Sequence, residues 1–153
     1  KQDAGRTIHE AVSELVSKYP KYENEIKMYY KNHRKMIKGV FNSSINVLKN
    51  LKSLNCECYV LSNWSSETFV GMKDDYPFLR LFNDLLISGE DKLIKPDLAI
   101  YNLAINRFNL VPQETVFIDD KLENITAAKK LSFNTIHLKD PKDIELEINK
   151  FLL

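Results

Sequence analysis

Apolar residues recur along this chain with two different periods, and the period changes once. Up to about Lys38 the spacing is helical. Ile8, Ala11, Val12, Leu15 and Val16 fall on one face, and Thr7 and Glu10 have the order of a capping box. Pro20 breaks this helix. A second is predicted from Tyr22 or Glu23 to Lys38, with Ile26, Tyr29, Tyr30, His33 and Ile37 near one face and Gly39 closing it. From Ser44 onward, short runs of β-formers alternate with helical stretches. Ile45, Val47, Leu48, Leu51 and Leu54 predict a helix, and Cys58-Tyr59-Val60-Leu61 a strand ending at Ser62-Asn63-Trp64. Thr68 to about Lys73 predicts a short helix, Tyr76 to Leu79 a turn with buried aromatics, and Leu85-Leu86-Ile87 a strand ending at Ser88-Gly89. Then come a helix over Asp97 to Phe108, a strand over Val116 to Ile118 and a helix over Asn124 to Leu131. A short strand at Thr135 to His137 and a terminal helix over Ile144 to Phe151 follow.

Regular alternation of strand and helix implies an α/β fold with a doubly wound parallel sheet. The all-helical first segment reads as part of a cap on that sheet. This divides the chain into a partial helical cap over 1–40 and a core over 41–153.

Composition narrows the classes. At 153 residues, with 44% hydrophobic and 28% charged positions, the chain has the make-up of one globular domain. A net charge of +1 gives no reason to expect nucleic acid or an acidic lipid as partner. No apolar run is long enough to span a bilayer, and nothing at the start has the form of a signal peptide. The expected compartment is the cytoplasm. Cys56 and Cys58 lie two apart on a strand, pointing to one face, with no second Cys/His pair to complete a zinc site; reduced thiols are expected.

The chemistry gathers at Thr115 to Ala128. An apolar strand there ends in two adjacent carboxylates, Asp119 and Asp120, and a helix with a small Ala127-Ala128 face follows. In open α/β sheets the site lies outside the carboxyl ends of the strands. Two like charges at such an end repel unless a cation is near, and hard divalent cations prefer carboxylate oxygen, which makes Mg²⁺ the natural candidate. The plainer alternative is that the pair caps the next helix. Two earlier strand ends favour chemistry: Ser62 follows the first strand and Lys95 the second. A hydroxyl, an ammonium and a metal-binding acid pair suit a transferring phosphoryl group.

On these residues the chain resembles the haloacid dehalogenase superfamily. Tyr59-Val-Leu-Ser-Asn-Trp-Ser-Ser-Glu-Thr-Phe69 is similar to its second motif. Ser88-Gly-Glu-Asp-Lys-Leu-Ile-Lys-Pro-Asp97, with Ile100-Tyr101, is similar to its third, and Phe117-Ile-Asp-Asp-Lys-Leu-Glu-Asn-Ile125 to its fourth. Gln2-Asp-Ala-Gly-Arg6 and Tyr76-Pro-Phe-Leu79 resemble the helical-cap subgroup, which holds sugar-phosphate phosphatases and 2-haloacid dehalogenases. The resemblance implies a Rossmann-like core and a Mg²⁺-dependent phosphatase for a small phosphorylated metabolite, working through an aspartyl phosphate. It assigns Ser62 to a phosphoryl oxygen, with Asn63 beside it on the substrate. Lys95 holds the nucleophile and the phosphoryl charge. Asp120 binds the metal, Asp119 supports the metal shell and Lys95, and Asn124 stands behind them as a hydrogen bonder. Trp64, Arg6, Tyr29 and Tyr30 are expected at the cleft.

One family element is missing. Nothing before Ser62 reads as an apolar strand ending in the nucleophilic Asp, and Asp3 matches a cap position. In the family the nucleophile strand lies between the strands that here end at Ser62 and Asp119. Without it the two strands expose facing edges or close on each other, and the segment is expected to be destabilised or to self-associate through the gap. A truncated view of a full hydrolase, a decayed gene and a non-catalytic interaction module are the three accounts of this. A 2-haloacid dehalogenase is the nearest enzyme rival, although its attack on carbon needs no metal. A receiver-type signalling module uses similar residues, but with the acid pair early and Lys last; here the order is Ser62, Lys95, then the acid pair, which counts against it.

Overall fold

The computed structural model describes residues 1–152. The capping box forms as predicted: the Thr7 hydroxyl accepts from the Glu10 N–H, Glu10 accepts from the Thr7 N–H, and α1 runs Ile8–Lys18. Pro20 opens a 3₁₀ turn, and α2 runs Glu23–Lys31. The second helix is therefore shorter than its apolar spacing suggests. Asn32 ends it, because both its backbone N–H and its side-chain amide donate to the Met28 carbonyl, at 3.0 and 2.9 Å. His33–Met36 forms a 3₁₀ turn, and Gly39, at φ 143°, lies in irregular chain rather than at a helix end.

The remaining elements are α3 (Asn42–Ser53), β1 (Tyr59–Ser62), α4 (Ser66–Phe69), α5 (Met72–Asp75), β2 (Asp84–Ile87) and α6 (Ser88–Asp91). After them come α7 (Leu98–Phe108), β3 (Val116–Asp119), α8 (Leu122–Lys130), β4 (Asn134–His137) and α9 (Ile144–Leu152). The single helix expected over Thr68 to Lys73 is split into α4 and α5. Gly71 sits between them in the left-handed region at φ 76°, which a continuous helix does not allow.

All strand pairs are parallel. β1 pairs with β2, Ser62 opposite Ile87, and β3 pairs with β4, Asp119 opposite His137. Among the described residues β1 and β3 do not pair, so the sheet stands as two halves. Helices cover both faces. Phe117 packs with Leu86, Ile100, Tyr101, Ala104 and Phe133, the side of α7 and α8. Its neighbours Val116 and Ile118 pack instead with Val47, Ile136, Ile144 and Ile148, the side of α3 and α9. Alternate residues of one strand thus face two helix layers, which is the doubly wound α/β arrangement.

The N-terminal helical segment is tied to the core by directed bonds. Ser88 donates to the Asp3 carbonyl at 2.6 Å, and Arg34 donates to the Val70 carbonyl and pairs with Asp75, each at 3.0 Å. Glu67 accepts from the Ile8 N–H.

Candidate active site

The carboxyl ends of β1 and β3 are joined by one side chain. Lys95, in the loop between α6 and α7, donates from Nζ to the Leu61 carbonyl of β1 and to Asp119 Oδ2 of β3, each at 2.7 Å. Its side chain is 10% exposed and that of Asp119 is 5% exposed, so this is a buried ion pair. The Phe117 ring centroid lies 5.6 Å from Nζ, within cation–π range. A loop lysine holds one position only if its backbone is held. Asn63 does this: its Nδ2 donates to the Lys95 carbonyl and its Oδ1 accepts from the Lys95 N–H, both at 2.9 Å.

Asp119 is surrounded by donors. Besides Lys95, its Oδ1 accepts from the Lys121 N–H and from Asn124 Nδ2, both at 2.9 Å. Burial pushes this carboxyl up. The hydrogen bonds from Lys95, Lys121 and Asn124, together with the Lys95 charge, outweigh it and hold Asp119 below the usual carboxylate range. The acid pair does not cap α8. Lys121 is the N-cap residue, and no side chain caps that helix.

Asp120 is exposed, and among the described residues its carboxylate has no partner; only its carbonyl is fixed, by the His137 Nε2–H at 3.0 Å. Among the described residues the Ser62 hydroxyl is likewise not engaged, and it borders Leu61, whose carbonyl Lys95 takes. Asn124 is buried. Its carbonyl accepts from the Tyr101 hydroxyl at 3.0 Å, while its Oδ1 has no partner. Burial, first, and then the Asp119 and Glu123 charges push the Tyr101 phenol well up, so it acts as a donor throughout the ordinary pH range.

Of the residues singled out by sequence, Lys95, Asp119, Asn63 and Asn124 form one bonded network, with Ser62 and Asp120 unengaged on its two flanks. Trp64, Tyr29 and Tyr30 line an adjacent cleft; Arg6 does not, and pairs with Glu14 instead. His137, Tyr101 and Ser88 support the site and were not marked by their chemistry in the sequence. His137 and Ser88 could have been found by position, since each follows or ends a strand at its carboxyl end. Ser88, fully buried, accepts from the Trp64 N–H at 3.0 Å while donating to Asp3. Gly89, beside it, has no room for a side chain: a Cβ there would lie 2.5 Å from the Ser66 nitrogen and 2.8 Å from the Trp64 oxygen. Gly89→Ala is expected to lower stability by about 1–3 kcal/mol through backbone displacement, measured by urea unfolding; an unchanged midpoint would contradict this contact.

The sequence profile described as haloacid dehalogenase-like hydrolase matches residues 2–138. The chain belongs to this family. A sesquiterpene phosphatase of Aspergillus oryzae is 27% identical over 106 residues, covering 69% of this chain and 54% of that protein. (S)-2-haloacid dehalogenase 4A of Burkholderia cepacia is 29% identical over 91 residues, 60% of this chain and 39% of that protein. The chain thus spans about half or less of these relatives. A haloacid dehalogenase-family enzyme of Bacteroides thetaiotaomicron, solved with magnesium and inorganic phosphate, superposes with a TM-score of 0.76 at 21% identity. That likeness covers 94% of this chain and 76% of that one, and shows the family fold.

The donor chemistry for a hard cation is present at this family site. Asp120 offers unengaged carboxylate oxygens, and Asn124 Oδ1 is a buried oxygen without a partner. The donor count is small: among the described residues no group of three or more His, Cys, Asp and Glu side chains is placed to hold a metal. No helix among the described residues is long and apolar enough to cross a membrane.

Proposed function

We propose that this chain is part of a Mg²⁺-dependent phosphatase acting on a small phosphorylated metabolite. The observation that carries this reading is the buried Lys95 ammonium, fixed at 2.7 Å from both the Leu61 carbonyl and Asp119, with an unengaged hydroxyl and an unengaged carboxylate beside it. A fixed cation in a water-poor site favours an anionic, charge-developing group, and a phosphoryl group is one. Ser62 donates to a phosphoryl oxygen, and Asn63 keeps Lys95 aligned with it. Asp119 stays ionised, because its carboxyl is held below the usual range, and so keeps Lys95 in place. Asp120 and Asn124 Oδ1 are the groups that would hold Mg²⁺, which when bound offsets phosphoryl charge.

The covalent step of this reading needs an aspartate nucleophile, which the described residues do not supply at Lys95. A strand seated between β1 and β3 would deliver one there. A dehalogenase, which displaces halide from carbon without a divalent cation, leaves the unengaged Asp120 without a task.

The test is phosphate release by the gene product that carries this chain, with Mg²⁺ and a panel of phosphate monoesters. Release is expected to stop in chelator and to fall at least a hundredfold in Asp120→Asn. Release that persists in chelator or in Asp120→Asn overturns the reading.

A further inference from the structure

The loop that carries the acid pair is held from β4. Asp119 stands opposite His137 in the parallel register, and Leu138, just past the strand, donates its N–H to the Asp119 carbonyl at 3.0 Å. The next carbonyl, that of Asp120, lies beyond the end of the ladder and is taken by a side chain. His137 Nε2 is 3.0 Å from it. A carbonyl only accepts, so Nε2 carries the proton and donates.

These bonds fix the peptide planes on both sides of Asp120. The plane before it is held through the Asp119 carbonyl, by Leu138. The plane after it is held at both ends. Its carbonyl is held by His137, and its N–H, that of Lys121, donates to Asp119 Oδ1 at 2.9 Å. With both planes fixed, the direction of the Asp120 Cα–Cβ bond is fixed, and only the side-chain torsions stay free. The Asp120 side chain depends on this. It is exposed, and among the described residues its carboxylate has no partner, so its backbone alone aims it. The Leu138 and Lys121 bonds use backbone N–H groups, which every residue but proline supplies. The His137 bond is the one that a substitution removes while leaving the acid pair untouched.

We infer that His137 is a positioning residue for Asp120, holding the backbone so that the carboxylate is preset for a hard divalent cation. The inference rests on the phosphatase reading above and adds to it a residue that touches neither metal nor substrate. A ligand ordered before the ion arrives has less freedom to lose on binding. Partners that orient metal ligands are worth about 10–100-fold in metal affinity.

The experiment is calorimetric titration with Mg²⁺ of the gene product that carries this chain, as wild type, His137→Leu, His137→Ala and His137→Gln. Phosphate release is followed over a range of Mg²⁺ concentrations in the same four proteins. Leu and Ala remove the donor, one keeping apolar bulk and the other leaving space. Gln offers an amide N–H at a similar reach. His137→Leu and His137→Ala are expected to weaken Mg²⁺ binding at least tenfold and to raise the half-saturating Mg²⁺ concentration by the same factor. Release at saturating Mg²⁺ is expected to stay within threefold of wild type, and His137→Gln to recover the affinity to within threefold. A merely structural role would lower the saturating rate or the urea midpoint and leave the half-saturating Mg²⁺ concentration where it was. That result, or Gln weakening Mg²⁺ binding as much as Leu and Ala do, overturns the role of His137 and leaves the phosphatase reading standing. Wild-type protein that neither binds Mg²⁺ nor releases phosphate overturns the phosphatase reading, and this inference with it.

Discussion

Lys95→Met is expected to destabilise the fold by about 3 kcal/mol and to reduce phosphate release by the gene product that carries this chain by at least a hundredfold. The stability estimate follows from burial. Removing one partner of a buried ion pair leaves the other charge uncompensated, at about 3–5 kcal/mol. Asp119 keeps two donors, the Lys121 N–H and Asn124 Nδ2, which places the cost near the lower end. The Leu61 carbonyl loses its donor as well. The activity loss is that of removing a preorganised charge from a developing anion, about 10²–10³-fold.

The pH dependence separates this account from a generic packing defect. Asp119 is held below the usual carboxylate range when folded, so its contribution is fully present above its unfolded value of about 3.9. That contribution is lost as pH falls through the lower folded value. The stability gap between wild type and Lys95→Met should therefore be widest near neutral pH and narrow in acid. Urea unfolding at about pH 7 and about pH 3 measures both. A gap independent of pH would mean that Lys95 contributes packing and not charge.

The sequence predicted most of this architecture because its signals are local. The Thr7–Glu10 capping box, the apolar runs at Tyr59, Leu85 and Val116, and the acids ending the third strand each declare themselves within a few residues. The early end of α2 did not, since Asn32 caps by a side chain that competes with an otherwise continuous apolar face. Lys95, Asp119 and Asn124 stand out in the sequence by their chemistry, and in the fold they meet. The use of Asn63 as a clamp on Lys95, and of His137 on the Asp120 carbonyl, depends on side chains crossing between distant loops. Nothing in local spacing encodes such a crossing. Trp64, Tyr29 and Tyr30 are legible in the sequence as cleft residues, but the bonds of Tyr30 to Gln2 and of Trp64 to Thr68 are visible only in the folded chain.

The two half-sheets lead to the other large effect. The chain by itself is expected to self-associate at raised concentration, through the edges of β1 and β3 that face the gap. β1 and three of the four residues of β3 are only half-buried, although Tyr59-Val60-Leu61 and Val116-Phe117-Ile118 are apolar enough for strands covered on both faces. Each four-residue strand turns about four backbone N–H and C=O groups to its unpaired edge. Lys95 engages one, the Leu61 carbonyl. The rest either bond water or cost about 1–3 kcal/mol apiece when buried unpaired. A row of such groups on a parallel strand is a template for another strand. A further strand placed between β1 and β3 should therefore add several kcal/mol and abolish association through this edge, besides bringing a residue to Lys95. Light scattering after size exclusion, over a range of concentrations, reads the association; amide hydrogen exchange at Tyr59–Ser62 and Val116–Asp119 reads the edges. A chain that stays at its monomer mass of 17.8 kDa at every concentration, with slow exchange at both strands, would mean that the half-sheets are self-sufficient and that no strand is needed between them.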